Sequence, residues 1–120
     1  MAQKDELGRR GEDLAVAMLQ DQGLVVVDRN WRCRHGEMDI VAVDHARSTI
    51  VFCEVKTRSG DGFGTPFEAV NQAKRRRLRT VAAAWLADRS SPWVRTRFDV
   101  VGIRWRAGEE PTVEHRAEAF

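Results

Sequence analysis

The segment from Gly36 to Arg58, GEMDIVAVDHARSTIVFCEVKTR, constrains this chain more than any other, because it sets two apolar runs on either side of a polar loop of four residues, HARS. Val and Ile recur in both runs, with Phe52 in the second, and each run has strand length. The pattern predicts adjacent antiparallel strands, Gly36–Asp44 and Thr49–Lys56. A loop at 45–48 places Asp44 opposite Thr49 and, counting outward, Asp39 opposite Glu54 and Glu37 opposite Lys56. Alternation then puts Glu37, Asp39, Val41 and Val43 on one face with Ile50, Phe52, Glu54 and Lys56. One end of that face is apolar and the other is ionic. Opposed carboxylates with Cβ atoms about 4.5 to 5.5 Å apart repel each other, so folding alone does not favour the pair. A divalent cation resolves the repulsion, and magnesium is commonly held by one or two carboxylates together with phosphate oxygens. The plain alternative makes Glu37 and Lys56 an ordinary cross-strand ion pair and lets Asp39 splay into solvent at the sheet's end. A slip of one residue in register would also dissolve the constellation.

The flanking sequence predicts the rest of a single α/β domain. Leu7, Leu14, Met18 and Leu19 recur at helical spacing between Lys4 and Gln22, with Gly23 at the helix end. LVVVDRNW, residues 24 to 31, predicts a strand. Thr65, Pro66 and Glu68 spell an N-cap, a first-turn proline and a capping box for a second helix running to about Leu86. Phe67, Val70, Leu78, Val81 and Trp85 form its apolar stripe, and Lys74 lies inside that stripe. Arg97 to Trp105 predicts a last long strand, and the closing residues, with Gly108 and Pro111, a trailing strand or tail. The expected organisation is one domain over residues 1–120, its core at about 4–106 and a tail at 107–120. The element order predicts a mixed sheet with helices packed on it.

Size and charge narrow the function classes. A chain of 120 residues has room for one core. No run approaches the ~20 apolar residues of a membrane helix, and the first residues carry no apolar leader segment, so a cytoplasmic protein without membrane partners is expected. Cys33 and Cys53 make no disulfide framework, and with His35 they lack the paired spacing of zinc ligands. Net charge is +2, yet KRRRLR at 74–79 concentrates positive charge, with Arg9, Arg10, Arg29, Arg32 and Arg34 elsewhere. Such clustering fits a phosphate-backbone partner; the alternative is a solvated helix face.

Asp39, followed after fourteen residues by Glu54-Val55-Lys56, resembles the Asp…Glu-x-Lys signature of the restriction-endonuclease-like PD-(D/E)XK nuclease superfamily. The blocks GRRGEDLA, GEMDIV, VFCEVKTR and KRRRL, in this order between Leu7 and about Trp105, resemble the uncharacterised bacterial YraN family, which is similar to archaeal Holliday-junction resolvases. The resemblance implies an α/β restriction-endonuclease-like αβββαβ core with a central mixed four-stranded sheet flanked by helices. It also implies a metal-dependent endonuclease that hydrolyses phosphodiester bonds in DNA, branched or junction DNA included, and by analogy a homodimer. On that reading Asp39, Glu54 and the Val55 carbonyl hold Mg2+ or Mn2+, Lys56 orients or helps deprotonate the attacking water, and Glu12 of the first helix is an outer or bridging ligand. Lys74 would point into the cleft, while Arg58, Arg75, Arg76 and Arg79 would touch flanking phosphates. The competing reading is a non-catalytic nucleic-acid-binding or scaffold module on the same fold. Two departures from the superfamily pattern are Met38, where a proline often precedes the aspartate, and Gln72, which has no tyrosine beside it.

Overall fold

A computed structural model describes residues 5–60, 65–89 and 95–120. Asp5 starts the first helix by accepting the Gly8 N–H at 2.7 Å, and α1 spans Glu6–Asp21. It stops where Gly23 takes φ +89°, a left-handed conformation open to glycine. Strand β1, Val25–Cys33, pairs antiparallel with β2, Gly36–Asp44, which returns through a 3-10 turn at His45–Arg47 and left-handed Ser48 into β3, Thr49–Arg58. The β2–β3 register runs from Asp44–Thr49 to Ile40–Cys53, as the loop length predicts.

The second helix begins later than its sequence signals. Pro66–Ala69 forms a 3-10 turn, Thr65 makes no side-chain cap, and α2 spans Gln72–Arg89 behind Asn71, whose Oδ1 accepts the Lys74 N–H at 2.9 Å. Phe67 in the 3-10 turn packs on the sheet at Gly102, where a Cβ would collide with its ring. That anchorage separates the turn from the helix proper. From α2 the chain crosses to β4, Arg95–Arg104, parallel to β3, and β5, Thr112–Arg116, pairs antiparallel with β4.

The sheet therefore has five strands in the order β1-β2-β3-β4-β5 rather than the expected four. The added strand comes from the closing segment, expected to be a trailing strand or tail, and it is the strand that forms. Gly108 at φ +75° turns the chain back, and β5 then satisfies the outer hydrogen-bonding groups of β4. Two cores flank the sheet. Ala15 and Leu19 of α1 pack with Ile40, Ala42, Val51, Cys53, Val101 and Ile103. On the other face Leu78, Val81 and Trp85 of α2 pack with Val41, Ile50, Phe52 and Phe98. Asp28 locks α2 to β1 by accepting Trp85 Nε1 and Arg89 Nη2, both at 3.0 Å. Among the described residues no helix is long and apolar enough to cross a membrane.

Candidate active site

Asp39 sits where the alternation of β2 slips. Met38 and Val41 pack on the α2 side while Ile40 and Ala42 pack on the α1 side, so the two-residue period is interrupted between Met38 and Ile40. The regular register with β3 ends at Ile40–Cys53, and the Val55 N–H donates to Asp39 Oδ2 at 2.8 Å. A carboxylate thus occupies a position that a backbone carbonyl would fill in a continuing ladder. Asp39 and Glu54 meet as expected, but through a side-chain hydrogen bond rather than as a paired rung. The expected Glu37–Lys56 rung is absent from the register for the same reason. Glu37 instead pairs with Arg32 of β1, and their side chains form an ion pair of 2.9 Å.

Burial makes this carboxyl pair chemically unusual. Asp39 is 3% exposed and Glu54 is 8% exposed. Burial, then the charge of Asp39 and the hydrogen bond to it, push the Glu54 carboxyl up to about 8, while Lys74 works in the opposite direction. Near neutral pH the Glu54 carboxyl keeps its proton. Lys74 Nζ lies 3.0 Å from Glu54 Oε2, reaching the sheet from the first turn of α2. Its place in the apolar stripe, one turn before Leu78, brings it there.

The other residues singled out by the sequence occupy distinct positions. Lys56 follows Glu54 on β3 and is half-buried; with Asp5, Gly8, Val55 and Thr57 it lines a cleft of about 260 Å³ at the start of α1. No carboxylate among the described residues pairs with it. Glu12 is 1% exposed, not the solvent-facing glutamate that an early helical turn suggests. Gly11 lies so close to β3 that a Cβ there would collide with Thr57 Oγ1, and this approach carries Glu12 under the sheet's edge. Glu12 Oε1 accepts Asn30 Nδ2 at 2.7 Å and Arg29 Nη2 at 3.2 Å. Asn30 holds φ at 51°, which asparagine tolerates better than most residues, so an asparagine inside a strand was the overlooked signal for this contact.

The basic residues divide between exposed and engaged. Arg76 is exposed on α2. Arg75 donates to the Val70 carbonyl at 3.1 Å, and the Arg79 guanidinium lies 4.9 Å from the Phe98 ring and 5.3 Å from the Phe120 ring. Arg58 is half-buried at the end of β3, its Nε without a hydrogen-bond partner among the described residues.

The donor set at the pair suits a hard cation. Asp39 and Glu54 offer carboxylate oxygens, and because the N–H and C=O of one strand residue leave on the same side, the Val55 carbonyl opens toward the gap that holds Asp39. No group of three or more His, Cys, Asp and Glu side chains among the described residues forms a metal cluster. Two carboxylates and a carbonyl match ions that keep several waters, magnesium or manganese, better than zinc. A cation there would take the place of the Glu54 proton.

Comparison with known proteins groups the chain with sequences of the same size. The family described as Uncharacterised protein family UPF0102 matches residues 11–103, a span from the turn of α1 before Glu12 to the end of β4. A UPF0102 protein of Nocardia farcinica is 49% identical over 117 residues, covering 98% of this chain and 91% of its own length. One of Rhodococcus opacus is 48% identical over 120 residues, covering both chains in full. One of Mycolicibacterium smegmatis is 52% identical over 112 residues, covering 93% of this chain and 90% of its own.

Proposed function

The chain belongs to the UPF0102 family, and for it we propose metal-dependent hydrolysis of DNA phosphodiester bonds on a restriction-endonuclease-like core. The observation that carries the proposal is the buried Asp39–Glu54 pair, whose Glu54 retains its proton at neutral pH, beside Lys74 and two residues before Lys56. A fold selected for stability alone would replace two adjacent buried acids with apolar or amide side chains.

Asp39 and Glu54, with the Val55 carbonyl, would hold Mg2+ or Mn2+, which would supply positive charge at the phosphate and acidify its water. Glu54, raised to about 8, would release its proton to make room for that charge. Lys74 keeps the emptied carboxylate pair from carrying its full charge. Lys56 orients the attacking water and offsets the charge that builds on the phosphate oxygens. Glu12 acts one layer out: held by Asn30 and Arg29, it fixes the first turns of α1 against β1. Arg58, Arg75, Arg76 and Arg79 bind flanking phosphates, and cation–π contacts pre-orient Arg75 and Arg79. DNA, branched forms included, is the proposed substrate, acted on in the cytoplasm by a homodimer.

A panel of linear, nicked, flapped and four-way DNAs, incubated with magnesium, manganese or chelator, tests this directly. Cleavage is expected with metal and absent in chelator, and alanine at Asp39, Glu54 or Lys56 reduces it to background. If pure protein binds these DNAs and cleaves none with either metal, the chain is a nucleic-acid-binding module.

A further inference from the structure

The first turns of α1 separate two clefts. Asp5 and Gly8 wall the one that contains Lys56, and Leu7 and Arg10 wall a second, open cleft of about 550 Å³ that also takes in Ser59, Trp105, Glu109 and Glu110. Trp105 follows β4, and its backbone N–H donates to the Arg58 carbonyl at 2.8 Å, tying this point of the chain to the end of β3. The Arg10 guanidinium lies 4.2 Å from the ring centroid. Arg10 is exposed and has no carboxylate partner among the described residues, and Glu110 likewise has no cation. The cleft therefore presents a stacked cation and aromatic plane at one wall and an unengaged hydrogen-bond acceptor at another.

We infer that this cleft takes one unpaired nucleobase of a DNA strand, stacked against Arg10 and Trp105, with the base's exocyclic amine donating to Glu110. Flat π faces stack on indole and guanidinium planes, and carboxylates accept from the amino group of cytosine. A paired base exposes neither its face nor that whole edge. Lys56 and Arg58 are two residues apart on β3, about 7 Å, and Ser59 follows at once, so a strand with its phosphate at Lys56 reaches the Trp105 cleft with a neighbouring nucleotide. The inference rests on the nuclease reading and deepens it: bonds next to unpaired bases, at flaps, overhangs and branch points, are the preferred targets.

Fluorescence anisotropy in chelator, with the full chain and labelled duplexes, tests the cleft without cleavage. The duplexes are blunt or carry a short overhang of cytosine, thymine or abasic nucleotides. Wild type is expected to bind the cytosine overhang about tenfold tighter than the abasic one, the size of one base stack. Trp105→Ala erases that preference and Trp105→Phe keeps part of it. Glu110→Gln lowers the preference for cytosine over thymine. Arg10→Ala changes an exposed side chain and carries the same expectation as Trp105→Ala should that variant fail to fold. Equal binding of abasic and base-bearing overhangs by wild type overturns the cleft assignment and leaves the nuclease reading standing. A Trp105-dependent preference in a protein that cleaves nothing supports the cleft and overturns the nuclease reading. Cytidine monophosphate binding as tightly as the overhang would overturn the strand assignment in favour of a free-nucleotide site.

Discussion

Asp99 on β4 lies level with Cys53, one residue from Glu54 on β3, and both acids are withdrawn from water, yet their surroundings are opposite. Asp99 is 0% exposed and accepts two bonds of 2.8 Å from Arg97, one of 2.7 Å from His115 Nε2 and the Glu118 N–H at 3.1 Å. Although burial alone would raise it, hydrogen bonds from His115 and Arg97, with the Glu118 amide, hold the Asp99 carboxyl below the ordinary carboxylate range. Glu54 meets one cation and a second carboxylate, and burial drives it up. One acid is satisfied by its fold and the other is left dependent on a proton. A buried carboxylate that serves structure collects donors from several elements, whereas Glu54 is set against Asp39 and keeps a proton instead.

The comparison breaks most visibly at Asp99. Asp99→Ala strands Arg97 without its partner and is expected to cost about 3 to 5 kcal/mol, measured by urea unfolding. Because the folded carboxyl is depressed, its contribution is present above the unfolded value and is lost as pH falls through the folded one, so Asp99 shapes the acid limb of stability.

Glu54 shapes the opposite limb. Its folded carboxyl, raised to about 8 from 4.5, binds a proton that the unfolded chain has released. Stability is therefore full below the unfolded value and declines as pH rises to about 8, at up to about 1.4 kcal/mol per pH unit for one proton. Glu54→Gln is expected to flatten that decline. Unfolding curves across the window in chelator decide it, and an unaltered slope in the variant would assign the proton elsewhere.

Asp39 separates electrostatics from hydrogen bonding. Asp39→Asn keeps an oxygen for the Val55 N–H and offers Glu54 a donor, so stability in chelator is expected to hold or improve while cleavage is lost. Asp39→Ala leaves the amide unsatisfied and is expected to cost about 1 to 3 kcal/mol. Smallest is the effect of the α2 arginines. Replacing Arg75 and Arg76 with glutamine is expected to flatten the salt dependence of DNA binding by about one unit per lost phosphate contact. An unchanged slope would make them a solvated helix face.

Much of this contrast is legible in the sequence, with a physical boundary to it. Loop length and alternation give the hairpin register, since a four-residue loop leaves few ways to pair the strands. The same logic brings Asp39 to Glu54 and, through the stripe of α2, Lys74 to Glu54. It misses the slip at Met38–Ile40, because a side chain replacing a backbone acceptor leaves no periodic trace. The capping box at Thr65 misleads because Phe67 is held down on Gly102, and tertiary packing outweighs a local cap. Strand β5 is polar and mostly exposed, so it lacks the apolar alternation by which edge strands are recognised. The burial of Glu12 depends on Gly11 meeting Thr57, a contact between residues far apart in the chain.

The Asp39–Glu54 pair is expected to exchange the Glu54 proton for a divalent cation. Calorimetric titration with magnesium and manganese, in buffers of different ionisation enthalpy, measures both the binding and the protons released. Wild type is expected to bind with release of about one proton near pH 6.5, the release vanishing as pH passes above about 8, and Asp39→Asn is expected not to bind. No binding of either metal by wild type, or binding that survives Asp39→Asn with the same proton release, would contradict it.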